Sequence, residues 1–150
     1  MKTYLAADHA GFEFKEKIKS FLLKKGFEIK DCGAFEFDKN DDYPDFISKV
    51  GKEVENNPGS YGIVLGKSGA GECMVANKYK GTRAFLAINE KNVKLAREHN
   101  NANIISLGSE IVTLQEAKKL IKLFLETPFS EDQRHVRRIN KIKELENKWT

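Results

Sequence analysis

The stretch Tyr61-Gly62-Ile63-Val64-Leu65-Gly66-Lys67-Ser68-Gly69-Ala70-Gly71-Glu72 decides the fold. Tyr61 to Leu65 is a short continuous apolar run, the pattern of a strand buried on both faces, as in a parallel sheet covered by helices. A glycine-rich segment follows, and Glu72 to Lys78 reads as a short helix. Upstream, Asn57-Pro58-Gly59 is a turn, and Pro44 is placed to start a helix carrying Phe46, Ile47, Val50 and Val54 on one side. At the N-terminus, Thr3 to Ala7 reads as a strand that stops at Asp8-His9-Ala10-Gly11. Phe14, Ile18, Phe21 and Leu22 then recur at helical spacing until Gly26, and Phe27 to Lys30 reads as a second strand. Downstream, strands are expected over Thr82 to Ile88 and Asn103 to Leu107, with helices over Lys91 to His99, Leu114 to Glu126 and Asp132 to Lys148. Strands alternating with helices mean parallel βαβ units. The expected fold is α/β, a three-layer sandwich with a five-stranded parallel sheet and helices on both faces, formed by residues 1–150 as a single domain.

Composition fits that reading and removes other classes. A chain of 150 residues, 40% hydrophobic and 10% aromatic, can bury a sizeable core. The net charge of +4 arises from 26 basic and 22 acidic residues, too balanced for a nucleic-acid arm or a polybasic membrane anchor. No apolar run approaches the roughly 20 residues of a membrane span. The few apolar residues before Asp8 do not make a signal-peptide core. Two cysteines, Cys32 and Cys73, lack the spacing of a zinc site or disulfide framework. A reducing, cytoplasmic location is therefore expected, with no metal, membrane or nucleic-acid partner.

In open α/β sheets, ligands sit beyond the carboxyl ends of the strands. Asp8 and His9 follow strand one, the glycine-rich loop and Glu72 follow strand three, and Gly108, Ser109 and Glu110 follow strand five. Taken alone, Asp8 reads equally as a helix N-cap and His9 as a solvated loop residue. The loop fails as a P-loop, because Tyr61 stands where the first glycine is required. It also fails as a dinucleotide fingerprint, because Met74 replaces the third glycine. What remains is exposed backbone N–H at a helix start, suited to an oxyanion or phosphate, or simply a tight turn. Glu72 beside such donors has the composition needed to remove a proton next to a carbonyl while the developing oxyanion is held. Cys73 is a rival, although a cysteine one position into a helix is more often a small core residue.

Arg134-His135-Val136-Arg137-Arg138 places Arg134, His135 and Arg138 at helical spacings, a cationic face suited to phosphate or one merely balanced by Glu131 and Asp132. His99 ends a helix at the amino edge of the sheet, far from Asp8 and Glu72. It either meets the helix dipole or serves a neighbouring copy's site. Asn100, Asn101 and Asn103 add polar density beyond a simple helix stop.

Six motifs in order, Asp8-His9-Ala10-Gly11, Asp42-Tyr43-Pro44-Asp45, Gly66 through Ala76-Asn77-Lys78, Gly81-x-Arg83-Ala84, His99-Asn100-Asn101-Ala102-Asn103 and Arg134-His135-x-Arg137-Arg138, resemble the type B ribose-5-phosphate isomerase family. That family also holds galactose-6-phosphate and allose-6-phosphate isomerases. The resemblance implies a Rossmann-like domain, a homodimer (or tetramer) with sites shared between subunits, and cofactor-free aldose–ketose isomerisation through an enediolate. By position it implies Glu72 as base, since the cysteine many members carry at the end of strand three is Gly66 here. Ser68 and the amides of Gly69, Ala70 and Gly71 would hold the enediolate oxygen, and Asp8 the sugar hydroxyls. His99 from the partner would open the furanose ring, with Asn100 holding substrate. His9, Arg134 and Arg138, joined by His135, would bind phosphate. Glu110 stands where the family commonly has an arginine. The expected substrate pair is ribose 5-phosphate and ribulose 5-phosphate. The alternatives are allose 6-phosphate or galactose 6-phosphate and, from another class, a sugar-phosphate-binding module without turnover.

Overall fold

The computed structural model describes residues 1–149; Thr150, the last residue of the expected domain, lies outside the described residues. Five strands form one all-parallel sheet in the order β2-β1-β3-β5-β4. They are β1 Lys2–Ala7, β2 Glu28–Asp31, β3 Tyr61–Gly66, β4 Ala84–Leu86 and β5 Ile104–Gly108. The helices are α1 Phe12–Lys24, α2 Tyr43–Asn56, α3 Ala70–Ala76, α4 Glu90–Asn100, α5 Leu114–Glu126 and α6 Gln133–Glu146.

Side chains alternate across the sheet, so the two faces collect different strand positions. Leu5, Ala7, Ile63, Leu65, Ile105 and Leu107 meet Ile18 and Leu22 of α1, Val93 of α4 and the apolar stripe of α5. Tyr4, Ala6, Val64 and Ile104 meet Ile47, Val50 and Val54 of α2 and Ala76 of α3. The three central strands are thus buried almost throughout because both faces are covered, as expected for this α/β sandwich.

Helix starts follow local chemistry. Pro44 lies in the first turn of α2, and α4 and α5 open with reciprocal capping boxes, Asn89 with Asn92 and Thr113 with Glu116. Several boundaries shift by one or two residues, and two of the shifts have a clear local cause. Helix α3 begins at Ala70 rather than Glu72, because Gly69 in the left-handed region (φ 81°) turns the chain sharply out of β3. Strand β4 is confined to Ala84–Leu86. On one side of it the Thr82 hydroxyl donates to the Ala76 and Tyr79 carbonyls and the Arg83 N–H donates to the Asn103 side chain. On the other, the Ile88 N–H donates to Asn92.

The sheet order reverses direction at β1 and β3, the crevice where α/β proteins place ligands. The loops after β1, β3 and β5 close on one another there. The Ser109 hydroxyl donates to the Ala10 carbonyl, and the Ser109 and Glu110 N–H groups donate to the Gly66 and Lys67 carbonyls.

Candidate active site

At this carboxyl edge the chain approaches itself too closely for side chains. A Cβ on Gly11 would lie 2.6 Å from the Leu65 carbonyl oxygen, and one on Gly108 would lie 2.5 Å from the Ser68 backbone. At Gly66 the obstruction is a side chain, because a Cβ there would coincide with the Glu72 carboxylate. The glutamate of α3 folds back over the end of β3 and fills the space that a residue at position 66 would occupy. Glu72 is 4% exposed, and burial, with the charge of Asp8 nearby, pushes its carboxyl above the ordinary glutamate range. A carboxylate with raised proton affinity is a better base near neutral pH than a solvated one.

Asp8 takes the capping role that the sequence offered. Its Oδ1 accepts from the N–H groups of Ala10 and Gly11, capping a short 3-10 turn over His9–Gly11 that the periodicity did not reveal. Its other oxygen faces the imidazole of His9 at 4.0 Å. Ser68 is exposed, and its hydroxyl accepts from the Ala70 N–H. The Gly69 carbonyl is fixed by the buried hydroxyl of Ser106 at 2.6 Å. Ser68 thus takes the Ala70 N–H, while the next first-turn amide of α3, that of Gly71, has no helical carbonyl one turn earlier to bond and is a donor beside Glu72. Cys73 is partly buried, and burial, with the charge of Glu72, raises its thiol, opposite to the activation of a nucleophile.

Two residues here were not singled out from the sequence. The Tyr43 ring covers the loop so closely that a Cβ on Gly71 would meet it at 2.6 Å. Its signal was the Asp42-Tyr43-Pro44-Asp45 motif. Asp41 sits with its side chain 8% exposed and binds His9 twice through Oδ1, at 3.0 Å from the backbone N–H and 2.7 Å from Nδ1. Asp8, His9 and Asp41 offer ligand-type atoms within 4.8 Å of one another. The 2.7 Å contact marks a hydrogen-bonded acid–imidazole pair, so those atoms bind each other and no metal centre is read there. Glu110 lies on the rim, 3.8 Å from Lys67, an exposed pair of the kind that contributes about 1 kcal/mol or less.

His99, Asn100, Arg134, His135 and Arg138 lie elsewhere. His99 and Asn100 end α4 at the amino edge, where the Asn103 carbonyl already accepts from Gly62 near the start of β3. The His99 ring stacks on His135 of α6 with centroids 4.3 Å apart. His135 is therefore buried rather than part of an open cationic face. Burial and the charges of His99, Arg134 and Arg138 push it below the ordinary histidine range, toward the neutral form. Arg134 and Arg138 are exposed, and Arg134 lies 3.5 Å from Asp132.

The asparagine density has a structural cause. Asn101 caps α4 in the left-handed region (φ 45°), and Asn103 bridges Arg83 and Gly81 with its side chain. Arg83 donates to the carbonyls of Asn100, Asn101 and Gly81, fixing the end of α4.

The sequence matches a family model described as Ribose/Galactose Isomerase over residues 3–142. The chain belongs to this family. Within the ribose/galactose isomerases, the ribose-5-phosphate isomerase B of Mycobacterium leprae is 47% identical over 146 residues, covering 97% of this chain and 90% of that one. A crystal structure of ribose-5-phosphate isomerase B from Mycoplasma genitalium, with bound ribulose-5-phosphate, superposes with a TM-score of 0.95 at 42% identity. It covers 99% of this chain and 97% of that one. The Clostridium thermocellum enzyme of the same name superposes with a TM-score of 0.94 at 37% identity and full coverage of both chains.

Proposed function

We propose that this chain is an aldose–ketose isomerase that interconverts ribose 5-phosphate and ribulose 5-phosphate, with Glu72 as the base. The carrying observation is the buried, proton-avid Glu72 carboxylate lodged over Gly66 in the crevice. It is joined by family membership and by the ribulose-5-phosphate bound to the Mycoplasma genitalium relative. Glu72 takes the proton from C2 of the open-chain aldose and returns it to C1, while Ser68 and the amides of Gly69, Ala70 and Gly71 hold the enediolate oxygen. Asp8 binds sugar hydroxyls and carries the proton between the two oxygens. No step in this scheme calls for a cofactor.

The working unit in this reading is a homodimer. His99 and Asn100 lie at the opposite edge of the sheet from Glu72, so the partner's His99 opens the furanose ring and the partner's Asn100 holds it. Arg134 and Arg138 share α6 with His135, which stacks on His99, so they come from the same copy as His99 and complete a phosphate site begun by His9. Residues 1–150 act as one domain. The free thiols of Cys32 and Cys73 fit a reducing cytoplasm, and among the described residues no helix is long and apolar enough to cross a membrane.

The test is a coupled assay with ribose 5-phosphate, allose 6-phosphate and galactose 6-phosphate, run on the native protein and on Glu72→Gln. Turnover of the pentose that vanishes in the variant is expected. Faster turnover of a hexose phosphate, or undiminished activity in the variant, would overturn the assignment.

A further inference from the structure

The segment between β2 and α2 folds back over the end of β1 and delivers Asp41 to His9. Asp41 accepts both the backbone N–H and the Nδ1–H of His9 on one oxygen, and its second oxygen is buried with no partner. Among the described residues, no lysine or arginine lies within ion-pair distance of this carboxylate. The charged groups facing the ring are Asp8 on its own turn and Asp38 and Asp41 on the loop, all acidic. Phe37 meets the imidazole edge-on from the same loop, at 6.3 Å between centroids.

We propose that Asp41 is a positioning residue for substrate binding. By binding Nδ1–H it keeps His9 an imidazolium, so that Nε2 presents a proton to the substrate phosphate. This rests on the reading of His9 as a phosphate ligand given above. The logic is one of donors. A neutral histidine bonded through Nδ1–H has only a lone pair on Nε2, which repels a phosphate oxygen; the imidazolium has an N–H there. The Asp41 hydrogen bond, with the charges of Asp8 and Asp38, holds His9 above the ordinary histidine range. The charged form is therefore complete at low pH and is lost only as pH rises through this raised value.

Asp41→Asn keeps an oxygen acceptor and removes the charge. With ribose 5-phosphate, KM should rise by up to about tenfold at pH values between the His9 midpoints of the two proteins, the difference between a charge-assisted and a neutral contact. Below both midpoints the two proteins should converge, with kcat within about twofold throughout. Ionisation of the substrate phosphate affects both proteins alike and cancels in their ratio. The His9 ring nitrogens, followed by 15N NMR, should titrate at lower pH in the variant. A KM raised equally at every pH, or not raised, would reduce Asp41 to a structural role and overturn the proposal. His9→Gln separates the layers. If its KM is unchanged, the phosphate reading of His9 fails and takes this proposal with it; if its KM rises while that of Asp41→Asn does not, only this proposal fails. Should Asp41→Asn not fold, the native protein decides by NMR, because a His9 midpoint at or below the ordinary histidine value overturns the proposal and one above it sustains it.

Discussion

The two edges of the sheet are built on opposite principles. At the carboxyl edge, Glu72 and Asp8 are buried acids set among glycines that leave no room for side chains, and the loop before α2 adds the Asp41 side chain. At the amino edge, Arg134 and Arg138 stand exposed on α6, and the polar groups around His99 are tied to backbone carbonyls by Arg83 and asparagines. Proton transfer at carbon needs a base whose water has been removed, since burial raises its proton affinity. Anion capture needs long, flexible donors that reach outward. A single chain holds these two groups of residues apart. From Gly62, bonded to Asn103, to Gly66 the strand rises about 13 Å. The edges are complementary in chemistry but too distant in one copy to share a sugar phosphate, which is why two copies are required in the proposed mechanism.

The sharpest way to break this contrast is at the buried base. Glu72→Gln should lower kcat by about 10³-fold, the typical contribution of a general base, with substrate affinity retained. Because Glu72 has a raised carboxyl in the folded protein, its ionisation opposes folding. The stability it contributes is present at low pH and lost as pH rises through the raised value. Glu72→Gln should therefore raise Tm at pH 8 and change it little at pH 4, measured by thermal melts. Gly66→Ala sharpens the same point without removing the carboxylate. The new methyl displaces only the flexible end of Glu72, so the protein should fold normally while kcat falls by about 10²-fold. A fully active Gly66→Ala would mean that the base need not lie over β3.

The separation of the edges is tested by mixing inactive Glu72→Gln and His99→Ala chains. Random exchange makes half the dimers mixed, each with one intact site, so about a quarter of native activity should return. No recovery, despite exchange shown by mass spectrometry, would place both residues in one copy's site. Of the amino-edge cations, Arg138→Ala should raise KM about tenfold with kcat nearly unchanged, the loss of one charged hydrogen bond to phosphate. A fall in kcat with constant KM would instead put Arg138 at the reacting carbons.

The carboxyl edge was largely legible before folding, because its parts follow strand ends in chain order and the α/β layout forces strand ends together. Asp8, Ser68 and Glu72 needed only the periodicity of their flanking segments. Asp41 was not legible, because the loop that carries it has no period and its return over β1 depends on three-dimensional closure. The fit of Glu72 over Gly66 was equally hidden; glycine shows that a side chain is missing, not what fills its place. At the amino edge, residues whose polarity suggested function have structural roles. Asn101 and Asn103 serve a left-handed cap and a backbone bridge, and His135 stacks inward because α6 turns it toward His99. Helical spacing gave the shared face of Arg134, His135 and Arg138 but not how far that face is buried.

The smallest expected effect lies at Glu110, an anion on the edge where the proposed mechanism sets His9 against phosphate. The Ser109 hydroxyl bonded to the Ala10 carbonyl ties position 110 to the turn bearing His9, and Lys67 stands 3.8 Å from its carboxylate. An exposed charge of this kind acts on a bound anion through water, which limits its effect to about 1 kcal/mol or less. Glu110→Arg reverses the sign and should lower KM for ribose 5-phosphate by about threefold at low salt, with the gain fading near 0.5 M salt as screening shortens the reach of the charge. A gain of a hundredfold would instead require a direct, two-pronged contact between the new arginine and the phosphate. That outcome would move the phosphate toward the β5 loop and shift the weight of anion binding from the amino-edge arginines to the carboxyl edge.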